Sequence, residues 1–180
     1  MHIKGTSHKL KSLLILSLCV LTFASTSNAA SSDDTPAEQS KTLSTLKGLR
    51  DRTSDLTINA MNLLGIKYKR GGNSPENGLD CSGFVRLVFK NANATELPRT
   101  AKEISQEGDK VKAQDLQPGD LVFYNTLKKS FSHVGIYLGD NKFIHSPSAG
   151  GKVRVESMNI AYWKKRFNGA RRISEDPADK

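Results

Sequence analysis

The spacing of apolar and polar positions divides the chain into segments of different texture. Residues 13–23 form an apolar run with no helical periodicity, preceded by Lys4, Lys9 and Lys11 and followed by small and polar residues as far as Ala30. Residues 31–54 are rich in Ser, Thr, Asp and Lys, with large apolar residues only at Leu43, Leu46 and Leu49, and read as a polar linker holding a short helix near 43–50. From Asp55 the pattern changes. Leu56, Ile58, Ala60, Met61, Leu63 and Leu64 make the apolar face of a helix that Gly65 ends.

A Gly- and Asn-rich loop at 71–75 then leads to a second helical pattern, opening at Asp80 and carrying Phe84, Val85, Leu87, Val88 and Phe89. The turn Gln117-Pro118-Gly119-Asp120 feeds a strand at 121–124, and further strands are predicted at 132–138, 142–146 and 153–155, with a closing strand at 167–173. Helices come first and strands after. That order predicts an α+β domain over 55–173, with helices packed on an antiparallel sheet and a polar tail at 174–180.

Composition adds a compartment. The 180 residues are 37% hydrophobic and 25% charged, with a net charge of +9, which suits one buried core and excludes a collagen-like, disordered or multi-span membrane chain. A run of eleven residues is too short to span a bilayer, but with three lysines before it and small residues after it reads as an export signal over 1–30, cut near Ala29 or Ala30. Removing it takes away Cys19 and lowers the charge to +6. A monomer in the periplasm, with no membrane span after signal removal, is the expectation. The basic residues fall in scattered pairs with no nucleic-acid motif, so nucleic acid is not an expected partner.

Cys81 is then the lone thiol, between Asp80 and Ser82 at a helix start, where unsatisfied N–H groups and the helix dipole favour a thiolate. An imidazole would activate it, and His133 and His145 are the histidines outside the signal. Strand alternation sets His133, Gly135 and Tyr137 on one face and Val134, Ile136 and Leu138 on the other, toward a core. A three-residue loop 139–141 would place His145 opposite Gly135, diagonal to His133. A two-residue loop at Asp140-Asn141 would pair it with Ile136, facing away. Asn141 tolerates the left-handed conformation, so the three-residue loop is expected, and with it a Cys81, His133, His145 cluster in which His145 orients His133.

The blocks Asp80-Cys81-Ser82-Gly83-Phe84-Val85, Leu97-Pro98-Arg99-Thr100, 115–123 and 133–139 together resemble, in order and spacing, the NlpC-type cell-wall peptidases, a papain-like cysteine peptidase family. The resemblance implies a papain-like fold and hydrolysis of amide bonds in peptidoglycan stem peptides or cross-links. Cys81 would be the nucleophile, His133 the base and His145 the third polar residue, with no metal or other cofactor. Tyr68 matches the family's tyrosine that lines the site and helps hold the oxyanion. Asp80 and Ser82 match positions that in some members contact a stem peptide's free amine, though both are equally suited to capping a helix. Arg70 departs from the aromatic that many members carry before the paired glycines. Alternatives from the residues alone are an amidase or acyltransferase of the same fold, a zinc-binding module using one cysteine and two histidines, and a non-catalytic wall-binding protein.

Overall fold

The computed structural model describes residues 36–126 and 129–173, so the expected signal at 1–30, the start of the linker and the tail at 174–180 lie outside the described residues. Helix α1 (Pro36–Met61) opens it, followed by a short strand pair, β1 (Asn73–Ser74) and β2 (Gly78–Leu79), and helix α2 (Cys81–Asn93). Helix α3 (Ala101–Ile104), strands β3 (Asp109–Val111), β4 (Leu121–Tyr124), β5 (His133–Gly139), β6 (Lys142–His145) and β7 (Arg154–Ser157), helix α4 (Ala161–Lys164) and strand β8 (Phe167–Arg172) complete the order. Six strands form one sheet, β3-β8-β4-β5-β6-β7, with every pairing antiparallel.

The sheet carries a core on each face, as its period-two alternation requires. Val134, Ile136 and Ile144 face one way, into a cluster with Phe84, Val85, Val88 and Phe89 of α2, Leu56 and Ala60 of α1, and Ile104 of α3. Val122, Tyr124, Tyr137 and Phe143 face the other way, where α4 supplies Trp163 and β8 Ala170. The predicted turn before β4 is tied into the sheet by charge: buried Asp120 receives Arg172 of β8 at 2.8 Å on each carboxylate oxygen.

Two elements differ from the sequence expectation. Residues 36–61 are one continuous helix, not a linker with a short helix near 43–50. The pattern missed it because most of that helix has no face to bury: Leu43 and Leu46 are 71% and 58% exposed, and the packed residues Leu56 and Ala60 come only in its last turns. The hairpin between β5 and β6 turns on two residues, Asp140 and Asn141, both with positive φ, not on three. A bulge between Tyr137 and Gly139 then shifts the register by one, so Tyr137 faces Phe143 and Ile136 faces Ile144. That restores the pairing of Gly135 with His145 that the longer loop was expected to give.

Candidate active site

Cys81 is the first residue of α2, and its position is fixed by the cap before it. Asp80 is extended, and its Oδ1 accepts the Gly83 N–H at 2.7 Å, closing the open first turn. The same carboxylate accepts the Gly71 N–H at 3.0 Å and Arg99 Nη2 at 2.7 Å, while Ser82 Oγ accepts Arg99 Nη1 at 2.8 Å. Gly83 is required because the Gly72 carbonyl lies where its Cβ would be, so the loop can rest directly on the start of the helix. Asp80, Ser82 and Arg99 thus form one network that anchors the loop, the helix start and the segment before α3.

Cys81 is half-buried and free of any disulfide. Burial pushes its thiol above the ordinary value, and the Asp80 charge adds to the rise, against the Val134, Ser82 and Cys81 backbone N–H groups, which favour the thiolate. The helix start therefore offers donors to a thiolate without producing one at rest. The thiol meets the backbone of Val134, the residue after His133. Below it Ser146, buried just past the end of β6, donates to the Leu79 carbonyl at 2.7 Å and ties the His strand to the approach of α2.

His133 and His145 share the second face of the sheet, as their alternation predicts. Nε2 of His133 lies 2.7 Å from Nδ1 of His145, and Nε2 of His145 lies 2.6 Å from Oε2 of Glu156 on β7. Trp163 stacks on His133 at 5.6 Å between ring centroids, with the planes 23° apart, and closes that face to water. Both imidazoles are held below their usual value of 6.5, His133 by burial and then by His145, His145 by burial and then by Arg154. Neutral rings are therefore the resting form, and a neutral ring can accept a proton. A cleft of about 260 Å³ opens at His133, bordered by Thr126, Pro147, Arg154, Glu156 and Tyr162.

Tyr68 lies in an extended segment whose N–H donates to the Gly151 carbonyl at 2.7 Å and which pairs with Leu79 two residues before the thiol. Burial raises its phenol first, with the charges of Cys81 and Asp80 adding, so it remains a donor. Arg70 is exposed beside it and acts in the opposite sense. Glu156, Arg99 and Ser146 were assigned no role from the sequence. Glu156 stands one position past the strand expected at 153–155, on the alternation that would have set it beside His145 had the pairing of β6 with β7 been known.

The sequence profile of the NlpC/P60 family matches residues 65–172. The chain is 43% identical over 109 residues to the murein DD-endopeptidase MepS/murein LD-carboxypeptidase of Escherichia coli, covering 61% of this chain and 56% of that protein. It is 40% identical over 124 residues to the gamma-DL-glutamyl hydrolase of Bacillus subtilis, covering 67% of this chain and 30% of that one. The chain thus matches about half the length of the first relative and less than a third of the second. A crystal structure of an NlpC/P60 family protein from Bacillus cereus superposes with a TM-score of 0.62 at 35% identity, over 67% of this chain and 39% of the other. With helices packed against an antiparallel sheet, as in these papain-like domains, the chain belongs to the NlpC/P60 family.

Proposed function

We propose that the protein is an exported cysteine endopeptidase of peptidoglycan that cuts amide bonds in stem peptides or their cross-links through Cys81, His133 and His145. The observation that supports this reading is a half-buried thiol at a helix N-terminus, set against the backbone of Val134, the residue after His133, whose ring is linked to that of His145. Cys81 Sγ attacks the amide carbonyl as its proton passes to His133, and the carbonyl electrons move onto oxygen. The Cys81 backbone N–H and the Tyr68 hydroxyl stabilise that oxyanion. His133 then returns the proton to the departing amine, leaving a thioester that water hydrolyses with His133 again as base.

Because the thiol is raised and both imidazoles are lowered, proton transfer at rest is uphill. Incubation with purified muropeptides, read by mass spectrometry, tests the assignment. New fragments from cleaved peptide bonds are expected, with at least about a thousandfold loss for Cys81→Ala. A Cys81→Ala variant that still cuts would overturn it. The same spectra separate a D,D cross-link cut from a γ-glutamyl cut, the two bonds carried in the names of the relatives above, and activity that withstands a chelator excludes the zinc alternative.

A further inference from the structure

We propose that Glu156 is a positioning residue for the catalytic base, fixing the direction of a proton chain that runs through two imidazoles to the nitrogen of His133 that serves the thiol. This deepens the cysteine peptidase reading and rests on it. A neutral imidazole has one donor and one acceptor nitrogen, and two such rings joined by a single hydrogen bond can point their protons either way. In one direction His133 Nε2 donates to His145 Nδ1 and leaves His133 Nδ1 a free base. In the other, His145 Nδ1 donates to His133 Nε2, and the proton of His133 must sit on Nδ1, where it blocks acceptance of the thiol proton.

Nothing in the imidazole pair itself chooses between these two states. Glu156 does, because a carboxylate can only accept. With Oε2 at 2.6 Å, His145 Nε2 must carry its proton, so His145 Nδ1 is the acceptor and His133 Nε2 the donor at 2.7 Å. The reverse chain would set a nitrogen lone pair against the carboxylate at the fully buried end of His145. When the thiol proton reaches His133 Nδ1, the ring keeps its Nε2–H on His145, and the positive charge lies two hydrogen bonds from the carboxylate.

The other groups facing this chain leave that assignment in place. Arg154 on β7 forms an ion pair with the same Oε2 at 3.1 Å through Nη2 and donates through Nη1 to the Ala149 carbonyl at 2.7 Å, so its charge favours the carboxylate form of Glu156. Tyr124 from β4 presents a buried hydroxyl whose ionisation is suppressed by burial and by the Glu156 charge. Trp163 of α4 presents no titratable group, and Cys81 approaches from the α2 side of β5.

The direct test is the wild-type chain near neutral pH, with the ring nitrogens assigned by ¹⁵N NMR. Both histidines are expected to be protonated at Nε2, and a proton on Nδ1 of either ring overturns the proposal. Glu156→Gln keeps the shape but adds a donor, so the chain can reverse. Mixed tautomers are expected, with iodoacetamide alkylation of Cys81 slowed about tenfold to a hundredfold near neutral pH, kcat on muropeptides lowered alike and KM unchanged. Glu156→Asp, still acceptor-only, should recover part of the rate. Unchanged tautomers and an unchanged alkylation profile in Glu156→Gln would also overturn the proposal. Alkylation and NMR need no peptide cleavage, so a shifted profile without muropeptide products would sink the substrate reading and leave the relay standing.

Discussion

Gly135 lets the two imidazoles meet. A Cβ there would lie 2.8 Å from Cδ2 of Phe143, 2.8 Å from the Ile144 carbonyl and 3.0 Å from Cβ of His145, so β6 would have to move away from β5 at the point where His145 approaches His133. Gly135→Ala is expected to cost about 1–3 kcal/mol in urea unfolding and to slow Cys81 alkylation far more than that loss of stability would explain. Equal alkylation in the two proteins would show that the glycine serves packing alone. Residues of this kind differ in how far the sequence disclosed them. Cys81, His133 and the capping role of Asp80 follow from neighbours within a few positions. Glu156, Arg99 and Ser146 act on partners 11, 19 and 67 positions away, and no local pattern carries that information.

At the level of elements, the β5–β6 hairpin shows how a correct placement can rest on a wrong turn. The loop is one residue shorter than expected, and a bulge ending at Gly139, with φ of +98°, supplies the missing offset. Strand alternation was legible, but the bulge was not, because it depends on a backbone conformation that Gly-Asp-Asn permits without dictating. Short elements such as β3 and α4 escaped for a related reason: sheet pairing and burial of Trp163 stabilise them, not their own periodicity. The start of α2 allows a sharper prediction. Asp80 caps the helix, holds Gly71 and pairs with Arg99, which raises the guanidinium's pKa. Asp80→Ala is expected to lower stability by about 2 kcal/mol and Asp80→Asn, which keeps the cap oxygen, by about 1 kcal/mol. If Asp80 served instead to grip a substrate amine, both variants would raise KM at nearly unchanged melting temperature.

Across the whole molecule, the paired histidines make stability depend on pH in a direction set by their burial. Both titrate below 6.5 in the folded chain and near 6.5 in the unfolded one, so the unfolded chain binds more protons as pH falls, and stability present above about pH 6.5 is lost below it. Each fully shifted histidine contributes about 1.4 kcal/mol per pH unit in that window, so a loss of about 1–3 kcal/mol per unit is expected between about pH 6 and pH 4.5. Surface repulsion acts in the same sense, since a chain of net charge +9 gains further positive charge on acidification. Salt separates the two causes. Screening relieves repulsion between exposed charges but leaves the cost of charging a ring enclosed by Trp163, Phe143 and the sheet. Urea unfolding across this range at low and high ionic strength should therefore give nearly the same slope with pH. A slope that vanished in high salt would assign the acid sensitivity to the surface and remove the buried imidazoles as its source.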